Sequence, residues 1–265
     1  MQKVYYILIL FLIANFSTAQ DFEVAPVTID FNAEPGETQT KQLTIKNHGN
    51  KKIDVLLALQ DFLVNKEGNA EFKQANSIRN SIANWVSISP SFVTIAPSQS
   101  QTVNVTLQAP MDDYSSKWGI INVTPTKERT AFDAGGNLSA GIGVLGRINV
   151  NVFYSPASNQ NYKAKISNLK EITQENDTSR IFSANIDNIG DKITECKVYL
   201  IAANLSTAEE IQLDPVSLIA YPKSARIVKL PLPNVLPKGK YSLSAILDFG
   251  SSSSLEGTQI IIDVP

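Results

Sequence analysis

Apolar and polar residues alternate one for one along most of this chain, and that rhythm restricts it to strands. In TQTKQLTIKN, residues 38–47, Leu43 and Ile45 alternate with Thr44 and Lys46. QTVNVTLQ, residues 101–108, repeats the pattern with Val103, Val105 and Leu107. A longer instance is GIGVLGRINVNVFY, residues 141–154. One side carries Ile142, Val144, Ile148, Val150, Val152 and Tyr154, with a gap at Gly146. The other, from Arg147, carries Arg147, Asn149, Asn151 and Phe153. Successive side chains of a strand point to opposite faces, so each segment has one face to bury and one to leave in water. Helical periodicity is nearly absent. Only NSIRNSIANW hints at it, with Ile78, Ile82 and Trp85 spaced to pack as one short helix running into a strand.

Pro, Gly, Asn and Ser interrupt the alternation at short intervals. In the first half this predicts strands over 22–31, 38–46, 52–61, 85–89, 101–108, 117–125 and 142–154. EPGE at 34–37 and NHGN at 47–50 are turns, Pro presetting φ and Gly accepting a positive one. YSPASNQN, residues 154–161, is a polar, Pro-containing break, and the domain boundary is placed there. The pattern then starts over, with strands expected at 163–169, 180–188, 194–201, 209–213, 224–230, 240–247 and 258–264. DNIGDK and LPKGK supply turns. Seven short strands in about this length match an immunoglobulin-like sandwich. The expected fold class is all-β, two immunoglobulin-like β-sandwich domains in tandem, at 20–155 and 156–265. No tandem sequence repeat links the halves.

The opening MQKVYYILILFLIANFSTAQ combines Lys3, an apolar run from Val4 to Ile13, and small residues at Ser17 and Ala19. This is the pattern of a signal peptide, residues 1–19, cleaved after Ala19. The run is short for a membrane anchor, and no other run approaches that length. No Cys follows it, so a lipoprotein is not indicated. The expected product is exported, without a membrane span after cleavage. With 43% hydrophobic and 18% charged residues and a net charge of −2, the chain offers no basic field to nucleic acid.

Candidate chemistry is sparse. The one His, His48, sits in the NHGN turn, and the one Cys, Cys196, lies on the same alternating face as Val198 and Leu200, where it reads as a small buried hydrophobe. One His and one Cys do not build a zinc site, and no Gly-x-Ser-x-Gly elbow or phosphate-cradling loop is present. The pairs Asp112/Asp113 and Glu209/Glu210 are adjacent in sequence, so on a strand they point apart. Asp187, Asn188 and Asp191 faintly resemble a calcium loop but lack its closing ligand, and read as a hairpin turn. Five Asn-x-Ser/Thr triplets, at Asn104, Asn122, Asn137, Asn176 and Asn204, matter only on a eukaryotic secretory route. Trp118, beside Gly119 and near Tyr114, is either a platform for sugar or a cap on a sandwich core; Trp85 reads as core. No enzyme activity, cofactor or metal is expected.

FEVAPVTIDFNAEPGETQTKQLTIKN, then WVSISPSFVTIAPSQSQTVNVTLQAP, KWGIINVTP and the strand ending INVNVFY together resemble the N-terminal domain of periplasmic pilus-assembly chaperones. They also resemble the N-terminal domain of the WxL-interacting surface proteins of Gram-positive bacteria. The second half, with SANIDNIGDKITECKVYLI, YPKSARIVKLPLP and LPKGKYSLSAILDFG, is similar to the second domain of the latter. The chaperone resemblance implies donor-strand complementation, in which an edge strand offers alternating apolar side chains to a subunit lacking a strand. The segment 142–154 matches that strand in position, which makes Val144, Ile148, Val150 and Val152, with Arg147, the partner-binding candidates. The same alternation equally describes a strand buried in its own core. Such chaperones hold the subunit's terminal carboxylate with an Arg in the first strand and a Lys in this one. The matching positions here are Pro26 and Asn151, and Arg147 lies four residues before Asn151 on the same face. The chain ends at IIIDVP directly after its last strand, without a wall-sorting tail. The expectation is a periplasmic, chaperone-like protein whose partner is an exported subunit, pilin-like or a surface protein, bound by edge-strand pairing. The alternative is a cell-surface structural or adhesive module binding protein or glycan.

Overall fold

The structure is a computed structural model and describes residues 22–126, 146–233, 236–250 and 255–265. The expected signal peptide and Val144 lie outside the described residues. Every element described is a strand: β1 (Phe22–Ala25), β2 (Thr28–Phe31), β3 (Thr38–Asn47), β4 (Ile53–Val64), β5 (Ala70–Lys73), β6 (Val86–Ser89), β7 (Phe92–Ile95), β8 (Ser100–Gln108), β9 (Lys117–Thr126) and β10 (Ile148–Tyr154). After the break come β11 (Ala164–Glu171), β12 (Arg180–Asn188), β13 (Thr194–Asn204), β14 (Glu210–Gln212), β15 (Val216–Ala220), β16 (Ser224–Leu232), β17 (Gly239–Asp248) and β18 (Glu256–Val264). The expected all-β class of immunoglobulin-like sandwiches is what forms.

β1 to β10 make two facing sheets. One runs β1-β3-β8-β6; the other runs β2-β10-β9-β4-β5, with β7 also paired to β4. Their inner faces bury Leu43, Ile45, Val103, Val105 and Leu107 against Val55, Leu57, Ile121, Val123, Val150, Val152 and Tyr154. β11 to β18 repeat the plan, with sheets β11-β12-β16 and β14-β13-β17-β18 and β15 paired to β13. Their core gathers Phe182, Ile186, Cys196, Val198, Leu200, Leu230, Leu243 and Leu247.

The two sandwiches share a device that sequence comparison of the halves does not reveal. Asn47 closes β3 with its fully buried amide, whose Nδ2 donates to the carbonyls of Lys51, Ile95 and Ala96 while Oδ1 accepts from Gly49 N–H. Asn188 closes β12 in the same way, Nδ2 donating to Lys192 and Ala220 carbonyls and Oδ1 accepting from Gly190 N–H. In each case an Asn-x-Gly turn ties a strand end to a strand distant in sequence. The EPGE turn forms as expected, with Gly36 at φ +87°, a conformation that a side chain disfavours.

Three expectations are corrected. The segment 22–31 is two strands in different sheets, because the chain bends at Pro26 between β1, which pairs with β3, and β2, which pairs with β10. Residues 74–85 form turns and a single bridge, not a helix. Asp61, a fully buried carboxylate, accepts there from Ser77 N–H at 2.8 Å, Ile78 N–H at 3.2 Å and Ser81 Oγ–H at 2.6 Å. The backbone bonds outward to β9, Ile82 N–H donating to Trp118 O at 3.2 Å and Trp118 N–H to Asn80 O at 3.0 Å. The short strands β5, β7 and β15 were not expected.

Three outcomes follow from this packing. Leu107 is fully buried, so Leu107→Ala lowers the unfolding free energy by about 2–5 kcal/mol in a urea titration. Ile261→Ala, at a side chain 67% exposed, changes it by less than about 0.5 kcal/mol. Burial pushes the Cys196 thiol up to about 12. The folded chain therefore gives no reaction with a disulfide reagent at pH 8, and one thiol is released to it on unfolding.

Candidate functional site

β10 is the strand to which the sequence assigned partner binding, and the structure divides it. Over Asn151–Tyr154 it is flanked on both sides, by β2 in parallel and by β9 in antiparallel register. Over Ile148–Val150 only β9 is paired with it; no described strand lies on the other side. Asn151 N–H donates across to Val27 O at 3.0 Å. Alternation along a strand turns the N–H and C=O of Asn149 to that same side.

The side-chain expectation is corrected here. Val150 and Val152 are fully buried members of the first core, so neither is on offer to a partner. The reason is the facing sheet, whose Leu43, Ile45, Val103, Val105 and Leu107 share the core with that side of β10, while β2 occupies the edge beside Asn151–Tyr154. Ile148 is half-buried against the same core, and Arg147 is exposed. Around Ile148 the open edge meets a groove of about 410 Å³ lined by Phe22, Glu23, Val24, Val27 and His48. Val27 is 61% exposed. His48 Nε2 lies 2.8 Å from Glu23 Oε2 at the rim. The two positions matched to a carboxylate anchor are uncharged: Pro26 is exposed at the bend and Asn151 is half-buried.

On the outer face of this sheet the register sets side chains in rows. Ala58, Asn122 and Asn149 form one; Gln60, Ile120 and Asn151 form the next. Asn122 Nδ2 donates to Gln60 Oε1 at 2.7 Å, while Asn122 Oδ1 is buried without a partner. One row further, Phe153 lies opposite Trp118, and the face turns apolar. Phe62, Trp118 and Ile120 close against Tyr221 of the second sandwich. Tyr221 meets Phe62 edge to face at 5.6 Å and Trp118 at 4.9 Å between ring centroids. Trp118 Nε1–H donates to Phe62 O at 2.9 Å. Trp118 is therefore buried between the sandwiches and is not a sugar platform. Burial pushes the Tyr221 phenol up to about 12.

Polar bonds extend this seam. Asn159 Nδ2 donates to Tyr114 O at 2.9 Å and to Asp191 O at 3.3 Å, and Ser116 N–H donates to Asp191 O at 3.2 Å. At the far side the β4–β5 hairpin reaches across, with Ile227 N–H donating to Lys66 O at 2.7 Å. Gly68 at its tip, at φ +96°, lies under the Arg226 guanidinium, which would have to move to admit a Cβ.

The candidate catalytic groups stay apart. Asp113 pairs with Lys117 at 2.8 Å and Asp191 with Lys223 at 3.2 Å, while Cys196 is sealed in the second core. Burial pushes the Asp113 carboxyl up, but hydrogen bonds from Lys117 and Ser115 prevail and hold it below its ordinary value. Among the described residues no three His, Cys, Asp or Glu side chains group to hold a metal ion. No helix among them is long and apolar enough to cross a membrane. The seam was not legible in advance. Its only signal was an apolar excess on the outward side of β9, where Trp118 and Ile120 stand at positions that should face water.

Residues 28–123 match the family described as WxL Interacting Protein, peptidoglycan binding domain. No curated protein matches the chain. Among solved structures, a chain of the chaperone–tip adhesin complex in CFA/I fimbriae biogenesis is 12% identical, over 93% of this chain and 100% of that one, with a TM-score of 0.51. The class 5 fimbriae chaperone CfaA is 11% identical over 92% and 99%, at 0.48. The CsuC–CsuE chaperone–tip adhesion subunit pre-assembly complex from the archaic chaperone-usher Csu pili of Acinetobacter baumannii is 13% identical over 79% and 90%, at 0.45. The chain thus has the two-domain immunoglobulin-like fold of the fimbrial chaperones, and its first sandwich carries the likeness to the WxL-interacting domain.

Proposed function

We propose that this is a non-enzymatic binding protein, exported by cleavage of residues 1–19 and retained in a periplasm. Its two domains, 20–155 and 156–265, present an edge to another exported polypeptide. The observation that carries this reading is the one-sided stretch Ile148–Val150 of β10, with the Asn149 backbone turned outward beside the groove of Phe22, Val24 and Val27. An extended segment laid there would continue the line of β2, bonding main chain to main chain. Its side chains on one face would enter the groove. Register would come from Ile148 and Val27, with Arg147 beside them, and not from Val150 or Val152. The likeness to a chain of a chaperone–tip adhesin complex supports a polypeptide as the partner.

A second reading has its own support. The match of residues 28–123 to a peptidoglycan-binding domain favours a surface module that holds cell-wall glycan. The two readings differ in the class of ligand and are separable by what the mature protein retains from the cell envelope.

Asn149→Pro tests the first. Proline deletes the outward N–H and is tolerated on an open strand edge, while the bonds to β9 made by Ile148 and Val150 remain. Mature protein used as bait on its native cell envelope is expected to retain a small set of exported subunits in stoichiometric amounts. The variant loses them, with its thermal midpoint shifted by only a few degrees, the change that about 1 kcal/mol produces. Capture of the same subunits by the variant, or of none by the wild type, would show that strand pairing at this edge is wrong.

A further inference from the structure

The larger sheet of the second sandwich has an outer face with an apolar middle. β13, β17 and β18 send Val198, Leu200, Leu243, Leu247 and Ile262 into the core, so their alternate residues face outward. The register sets these in rows. Tyr199, Ile246 and Gly257 form one; Ile201, Ser244 and Gln259 form the next; Ala203, Ser242 and Ile261 form a third. Lys197 with Asp248 bounds the face at one end, and Lys240 with Asp263 at the other. Gly257, Gln259 and Ile261 are exposed, and the other members of the middle rows are half-buried. The seam with the first sandwich includes Ile219, two rows beyond Tyr199.

Roughly a quarter to a third of a soluble protein's surface residues carry charge, yet none of these middle residues does. β14 adds Gln212 beside Ile201 and, at the margin, Glu210 beside Ala203. The sizes of the side chains follow a rule. On each strand a large residue stands one row to one side of the middle row, and a small one stands one row to the other. Tyr199 and Ala203 flank Ile201, Ile246 and Ser242 flank Ser244, and Ile261 and Gly257 flank Gln259. Charge obeys the same rule, because Asp248 and Lys240 lie two rows either side of Ser244. At Gly257 the sheet has a dip bordered by Ile246, whose Cδ1 would stand 3.2 Å from a Cβ there. Ile261 is the opposite case, a side chain 67% exposed.

We infer that this face binds a second copy of the chain, face to face, about a two-fold axis that crosses the strands through Ile201, Ser244 and Gln259. Such an axis lays each strand over its own copy, reversed, so every contact off the axis is made twice. Tyr199 comes over Ala203 of the second copy, Ile246 over its Ser242 and Ile261 over its Gly257. Asp248 meets Lys240 at both ends. Facing sheets pack about 10 Å apart with their side chains interdigitated, which large over small provides. The occupant is another copy because each half of the face complements its other half, in size and in charge. A foreign partner would place no such demand on the sequence. At about 6.7 Å per row and about 4.8 Å per strand the patch covers roughly 500 Å² per copy. A standard interface commits about 800 Å² per partner, so the dimer is weak and forms only as the chain becomes concentrated.

The test is sedimentation equilibrium of the full mature chain from about 5 to about 500 µM, the range suited to a small interface. The wild type is expected to pass from the mass of one chain towards that of two. Lys240→Glu sets like charges against each other at both ends of the dimer, and so does Asp248→Lys. Each alone is expected to raise the concentration of half-dimerisation roughly tenfold or more. An equimolar mixture of the two variants restores opposite charges at both ends and is expected to dimerise as the wild type does. Recovery in the mixture also shows that each variant is folded. Asn149→Pro, at the β10 edge, is expected to leave dimerisation unchanged. A wild type that stays monomeric throughout would overturn the inference. So would single variants that dimerise like the wild type, or a mixture that stays monomeric where the wild type pairs. Loss of the dimer in Asn149→Pro would place the contact at the β10 edge and overturn it as well.

Discussion

The closure of Trp118 between Phe62 and Tyr221 is the contact on which the use of every other surface depends. An antiparallel sheet with one wet face has no obligation to a neighbour. This one acquires it at a single end, where Phe62, Trp118 and Ile120 face outward and the second sandwich covers them. Aromatic pairs of this kind contribute roughly 0.5–1.5 kcal/mol beyond their buried area. The indole N–H is satisfied within the same sheet by Phe62 O. Amide bonds from Asn159 and the reach of the β4–β5 hairpin to Ile227 tie it from both sides. Burying that end leaves the amide rows of Asn122, Asn149 and Asn151 at the mouth between the sandwiches, and leaves the β3–β8 face turned away from it.

The second constraint is the crossing of the first strand. Pro26 has no N–H to give, and the chain leaves β3 there to join β10. Exposed strand edges invite unwanted pairing, and this crossing protects most of one. What remains open is short and flanked by a groove with Phe22 and Val24 at its base. A short one-sided stretch invites less unwanted pairing than a strand with Val150 and Val152 presented to water would.

Most of the architecture was legible because period-two alternation leaves little choice. β3, β8, β12 and β17 stand close to where the alternation puts them. The rest depended on partners that a single segment cannot name. β5 is exposed at every position and has no buried face to announce it. Ile78, Ile82 and Trp85 have helical spacing, yet Ile82 N–H bonds to Trp118 O of β9 and not to Ile78. The alternation of Val150 and Val152 fits donation and burial equally, and only the facing sheet decides it. Asn47 and Asn188 looked like ordinary turn residues. Their bonds to Ile95 and Ala220 are tertiary and left no local trace.

The parallel pairing of β2 with β10 has a temporal meaning as well as a spatial one. Residues 28–31 are among the first of this unit to be made, and residues 151–154 are the last. A chain emerging N-terminus first, from a ribosome or through a translocation pore, holds β2 without its neighbour until the whole first sandwich has come out. Closing so wide a loop is entropically slow. Until then Ile29 and Phe31, both sealed in the finished core, are open to any passing chain. The vulnerable interval ends with the arrival of Tyr154, just before the polar break, so the first unit can shut before the second has begun to form.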